Sequence, residues 1–75
     1  MNSFTVYGKP SCPFCEKAVN LLNVRQVPYR YTDVSKDSSA RQMLVDKQFK
    51  TVPQIYHNEY HIGGYEALVD YLGQE

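Results

Sequence analysis

The chain has two cysteines, and they lie close together as Cys12-Pro13-Phe14-Cys15, just after the apolar run Phe4-Thr5-Val6-Tyr7 and just before a stretch with helical periodicity. A thiol at the start of a helix is easier to ionise than a free one, because unpaired backbone N–H groups and the positive end of the helix dipole favour a thiolate there. The second thiol lies one turn on, close enough to close a small disulfide ring. So small a ring removes little entropy from the unfolded chain, which makes the pair a poor staple and points to chemistry instead. A strand, a Cys-x-x-Cys pair and a helix in this order read as a redox site.

Length sets the next bound. Seventy-five residues (1–75) make one small domain, and a chain of this size buries roughly 60% of its unfolded surface, enough for one core. The chain opens without a basic-then-apolar leader, and no stretch reaches the roughly 20 apolar residues needed to cross a bilayer, so it reads as a soluble cytoplasmic protein. Eight basic residues balance eight acidic ones, and this neutral field gives no sign of nucleic acid or membrane as a partner. Seven tyrosines are present, among them Tyr29-Arg30-Tyr31. Aromatics interleaved with cations can stack on bases, but a strand with one buried face is the reading that suits zero net charge.

Along the chain, Ser3 to Tyr7 reads as a short strand ended by Gly8-Lys9-Pro10-Ser11. Cys12 caps a helix with Pro13 at its first position, where a fixed φ and a missing N–H do no harm. Phe14, Ala18, Leu21 and Leu22 recur at helical spacing up to about Val24. Tyr29 to Val34 alternates as a strand, with Tyr29, Tyr31 and Asp33 on one face. Ser35 or Asp37 caps a second helix carrying Ala40, Met43 and Leu44. After Thr51-Val52-Pro53 come two short strands, Gln54–His57 and Tyr60–Ile62, joined at Asn58-Glu59 and ended by Gly63-Gly64. The last helix starts near Tyr65, with Tyr65, Leu68, Val69 and Leu72 as its apolar stripe. The order β-α-β-α-β-β-α implies an α/β fold, a four-stranded mixed sheet flanked by three helices, which resembles the thioredoxin-like architecture in its minimal form.

Lys9-Pro10-Ser11-Cys12-Pro13-Phe14-Cys15, Thr51-Val52-Pro53-Gln54-Ile55-Tyr56 and His61-Ile62-Gly63-Gly64-Tyr65 occur in that order. With them the chain resembles the glutaredoxins over essentially its whole length. Its end, Ile62-Gly63-Gly64-Tyr65-Glu66-Ala67-Leu68, is similar to the short glutaredoxins of bacteriophages. Proline directly after the first cysteine, followed by an aromatic, is the glutaredoxin arrangement, where thioredoxins usually carry Gly-Pro.

The resemblance implies a thiol–disulfide oxidoreductase. Cys12 would be the nucleophile, with Lys9 near enough in sequence to add a positive field, and Cys15, more buried, would displace the captured substrate. It implies a cis Val52–Pro53 bond facing the cysteines, with the free N–H and C=O of Val52 pairing to the substrate as an added strand would; on the residues alone, an ordinary proline opening an edge strand stands beside that reading. Phe14 is open to two readings, a packing residue or a rim of the substrate groove. In glutathione-using members the glycine carboxylate meets basic side chains, here Lys9 and Lys50, and the γ-glutamyl end meets the turn after Gly-Gly, here Gly64, Tyr65 and Glu66 at a helix N-terminus; Thr51 completes this set. Many glutaredoxins place an Asp two residues beyond the aromatic of that turn, where this chain has Ala67.

The expected co-substrate is glutathione, with no tightly bound cofactor, and the expected partners are disulfide-containing proteins, ribonucleotide reductase among them by resemblance, met by a monomer. A redoxin of the same fold reduced directly by thioredoxin reductase is the nearest alternative. From other classes come a Cys2His2 zinc site built from Cys12, Cys15, His57 and His61, a cluster-bridging glutaredoxin, and a binding module with an inert thiol pair.

Overall fold

In the computed structural model, which describes residues 3–73, the expected element order is found. The elements are β1 (Phe4–Gly8), α1 (Pro13–Val24), β2 (Tyr29–Asp33), α2 (Ser38–Asp46), β3 (Gln54–His57), β4 (Tyr60–Gly63) and α3 (Tyr65–Gly73). The four strands form one mixed sheet in the order β2-β1-β3-β4. Strand β2 runs parallel to β1, with Phe4 opposite Tyr29 and Gly8 opposite Asp33, and β3 runs antiparallel to β1, with Val6 opposite Ile55. The β3–β4 hairpin turns at Asn58, which takes the left-handed conformation at φ 57°.

Alternation along β1 sends its side chains to two different cores. Phe4 and Val6 pack with Ala18 and Leu22 of α1, Ile55 of β3, and Leu68 and Leu72 of α3. On the other side of the sheet Tyr7 packs with Val34, Ala40, Leu44, Met43, Phe49 and Val52, so α2 covers that face alone. Leu22, Ile55 and Leu68 are wholly buried, and each such side chain contributes about 1.5–3 kcal/mol through the water it sheds.

Several boundaries differ from the sequence reading. Strand β1 starts at Phe4, with Ser3 paired to Asn58, and runs on to Gly8, whose carbonyl accepts the Val34 N–H at 2.8 Å and extends the ladder. Strand β2 stops at Asp33, whose carboxylate accepts from both the backbone N–H and the hydroxyl of Ser35, turning the chain before Val34. With Ser35 held in that turn, Asp37 is the cap of α2, its carboxylate accepting from the Ala40 N–H at 3.0 Å. Strand β4 extends one residue beyond Ile62, to Gly63. Tyr31 lies on the side of the sheet that α1 covers but stays partly exposed, since β2 is the sheet's edge. Val69 is also exposed, and Tyr71 takes its place against the core.

Both long turns after helices use the same device. Gln26 and Gln48 sit at φ 58° and 62°, and the following residues, Val27 and Phe49, donate back to Leu22 and Leu44 at 2.9 Å. These are Schellman-type endings in which glutamine holds the left-handed position that glycine usually takes.

Candidate active site

The site is built where β1 gives way to α1. Ser11 turns the chain through the left-handed region at φ 61°. Cys12 then takes the extended conformation of an N-cap (φ −110°, ψ 105°), with Pro13 following at the start of the helix. Its sulfur occupies the place of a capping oxygen and accepts the Cys15 N–H at 3.2 Å, so an orphan donor of the first turn is aimed at the atom where a negative charge would form. As a thiol, Cys12 also donates to the Val52 carbonyl at 3.7 Å.

Cys15 lies behind it. It is 2% exposed against 8% for Cys12, and both are free thiols. Burial pushes the Cys15 thiol up to about 12, the hydrogen bond with Cys12 and that neighbour's charge add to the rise, and the Lys9 backbone and ammonium partly oppose it. The two sulfurs, both buried, are thus inequivalent: one caps a helix in the wall of a groove, and the other is held as a thiol beneath it.

The Val52–Pro53 peptide is cis. Phe14, Thr51, Val52, Pro53, Gly64 and Tyr65, together with Glu66 and Ala67, line a groove of about 380 Å³. Phe14 is 50% exposed and faces Tyr65 with ring centroids 6.2 Å apart, so it stands at the edge of this groove rather than in the core. The remaining expected residues, Lys9 and Lys50, lie in a second groove of about 510 Å³ that Cys12 itself lines. Thr51 and Val52 belong to both grooves, and Cys12 meets Val52 along the ridge between them. Every residue expected at the site is therefore within these two grooves except Cys15, which lines a third cavity with Lys9.

Two cations escaped the sequence reading. Lys17 places its Nζ 5.1 Å from the Phe14 ring centre and 6.0 Å from that of Tyr65; its position one turn after Phe14 was the available signal. Arg41 lines the second groove with Lys9 and Lys50 and donates to the Val34 carbonyl at 3.2 Å. Only the packing of α2 brings it there.

The histidines are engaged elsewhere. His57 bonds the Tyr71 hydroxyl and stacks on Phe4, and His61 bonds the Gln54 side chain at 2.7 Å and stacks on Phe49. Among the described residues no group of three or more His, Cys, Asp or Glu side chains is placed to hold a metal ion, so the four members of the Cys2His2 alternative do not converge. Nor, among the described residues, is any helix long and apolar enough to cross a membrane.

Comparison with known proteins gives the same picture. The glutaredoxin family model matches residues 4–62. A glutaredoxin of Haemophilus influenzae is 37% identical over 75 residues, covering 85% of this chain and 86% of that protein. Glutaredoxin 3 of Escherichia coli is 30% identical over 69 residues, covering 91% and 83%. Among solved structures, a buckwheat glutaredoxin in complex with glutathione superposes with a TM-score of 0.81 at 21% identity, over 97% of this chain and 70% of that one. The glutaredoxin-like NrdH-redoxin of Escherichia coli superposes with a TM-score of 0.84 at 17% identity, over 96% and 92%. With its fold, its Cys-x-x-Cys pair and these relatives in agreement, the chain belongs to the glutaredoxin family and is a thiol–disulfide oxidoreductase.

Proposed function

We propose that this protein carries electrons from glutathione to disulfides of other proteins through a Cys12/Cys15 dithiol. The observation that carries the reading is the inequivalence of the two sulfurs, with Cys12 capping α1 at the groove and Cys15 buried beneath it. Cys12 as thiolate attacks the substrate disulfide, one substrate sulfur leaves with the electron pair of the broken bond, and the other stays joined to Cys12. Cys15 then attacks Cys12, forming the intramolecular disulfide and releasing the second substrate sulfur. Glutathione restores the dithiol as a co-substrate, and no tightly bound cofactor takes part.

The groove from Phe14 to Ala67 suits glutathione in shape, and the N-terminal turn of α3 in its wall suits the γ-glutamyl carboxylate. Lys9 and Lys50 would receive the glycine carboxylate across the Cys12–Val52 ridge. The relative from buckwheat is described in complex with glutathione, which supports the same choice here. By family resemblance ribonucleotide reductase is a recipient of the electrons. One chain supplies both cysteines and every groove wall, so a monomer suffices, and a free dithiol fits the reducing cytoplasm.

A second reading has one observation in its favour. Ala67 puts a methyl group in the groove wall where a carboxylate would hold the glutathione amino group, which suits a redoxin reduced directly by thioredoxin reductase. The test offers the oxidised protein glutathione with glutathione reductase, and separately thioredoxin reductase. Turnover with the first supports the proposal, and turnover with the second alone overturns it.

A further inference from the structure

The resolving step poses a problem that the two grooves do not answer. Once a substrate is joined to Cys12, Cys15 must lose a proton, yet its burial, the first cause of its raised pKa in the free dithiol, still opposes the charged form. Cys15 also lines a cavity of about 480 Å³, which shares no residue with the groove between Phe14 and Tyr65 and meets the second groove only at Lys9 and Ser11. Lys9, Glu16, Tyr29 and Tyr31 stand in its wall.

Gly8 explains how Tyr31 comes to this place. Glycine inside a strand weakens it unless something must approach closely. Here a Cβ on Gly8 would stand 2.8 Å from the Tyr31 hydroxyl oxygen and 2.9 Å from the Cys15 sulfur. Any side chain at position 8 would thus collide with both, and the phenol and the thiol converge on the space that its absence leaves. The parallel register, with Tyr7 opposite Thr32 and Gly8 opposite Asp33, brings Tyr31 there. Tyr31 is 41% exposed, so its side chain spans from solvent to the buried sulfur.

We propose that the Tyr31 hydroxyl donates a hydrogen bond to the Cys15 sulfur as that sulfur becomes a thiolate, and that the Cys15 proton leaves to water in the Tyr31-lined cavity rather than through the substrate groove. This rests on the reading above that Cys15 is the resolving thiol. The phenol keeps its own proton throughout. The freed pair on Cys15 forms the bond to Cys12, the bond from Cys12 to the substrate sulfur breaks, and that sulfur leaves with the pair and is protonated by solvent. Desolvation raises the Tyr31 pKa above its ordinary value, and the charges of Cys15, Asp33, Cys12 and Glu16 raise it further, so the group remains a donor. The other titratable neighbours lining the cavity are Lys9, whose charge favours the Cys15 thiolate, and Tyr29.

The test mixes reduced protein with a nitrobenzoate disulfide that releases a coloured thiolate at each of two steps, capture by Cys12 and resolution by Cys15. Tyr31→Phe keeps the ring and removes the hydroxyl. The expected result is an unchanged first phase, a second phase slowed about tenfold at neutral pH, and a pH profile for that phase displaced upward. Tyr60→Phe, which removes an exposed hydroxyl far from this cavity's wall, should leave the second phase at its wild-type rate. An unchanged second phase in Tyr31→Phe, equal slowing of both phases, or equal slowing of the second phase in Tyr60→Phe would overturn the inference. If the wild-type protein itself shows no second phase, the resolving role of Cys15 fails, and the step assigned to Tyr31 is overturned with it.

Discussion

At the scale of single residues, two buried sulfurs differ in what surrounds them. The Cys12 sulfur accepts an N–H of the first helical turn, whereas Cys15 is the less exposed and is held as a thiol. Limiting iodoacetamide at neutral pH should therefore alkylate Cys12 and spare Cys15, and peptide mapping by mass spectrometry reads the ratio; equal labelling would contradict the assignment. His61 gives a second prediction at this scale. Burial lowers its pKa below the ordinary 6.5, and the charge of Lys47 adds to the effect. Below pH 6.5 the unfolded chain then binds the proton first, so this residue costs stability as the pH falls toward its folded value, and the cost levels off below it. Thermal melts between pH 7.5 and 5 should show a decline that is shallower in His61→Asn; these pH limits are set at about one unit or more on either side of the free imidazole value.

Elements owe their ends to local hydrogen bonds and their places to burial. Gln26 holds a left-handed position that costs a residue with a Cβ about 1–2 kcal/mol, against about 0.5–1 kcal/mol of extra chain entropy for glycine. Gln26→Gly should thus raise stability by about 0.5–1 kcal/mol in urea denaturation, without touching the site. Leu68 is wholly buried where α3 meets the sheet, and Leu68→Ala should cost about 2–5 kcal/mol in the same measurement. Helix α1 was the most legible element, since Cys12, Pro13 and the recurrence of Ala18 and Leu22 marked its cap, first turn and inner face. The ends of β1 and β2 were less so. The Gly8–Val34 hydrogen bond and the Asp33–Ser35 turn that set them belong to a pairing between separate segments. Val69 matched the helical period but lies at the stripe's margin, where Tyr71 reaches the core instead.

For the molecule as a whole, a sheet covered by α1 and α3 on one face and by α2 on the other leaves three cavities around the segment from Lys9 to Glu16 that follows β1. The cysteine pair and the Thr51-Val52-Pro53 and Gly64-Tyr65-Glu66 segments were legible because each carries its own local signature. What could not be read from the chain was the division of the basic residues. Lys9, Lys50 and Arg41 share one groove while Lys17 lies over the aromatic rim of the other, an outcome of how α1 and α2 pack. The convergence of Tyr31 and Cys15 on Gly8 was equally hidden, because it depends on strand register.

The most direct measurement treats Cys12→Ser and Cys15→Ser with oxidised glutathione and follows intact mass over time. Cys15→Ser should gain a single glutathione, retain it, and lose it again to added glutathione, while Cys12→Ser stays unmodified over the same period. Modification of both variants at similar rates would contradict the account, since the two sulfurs would then be interchangeable.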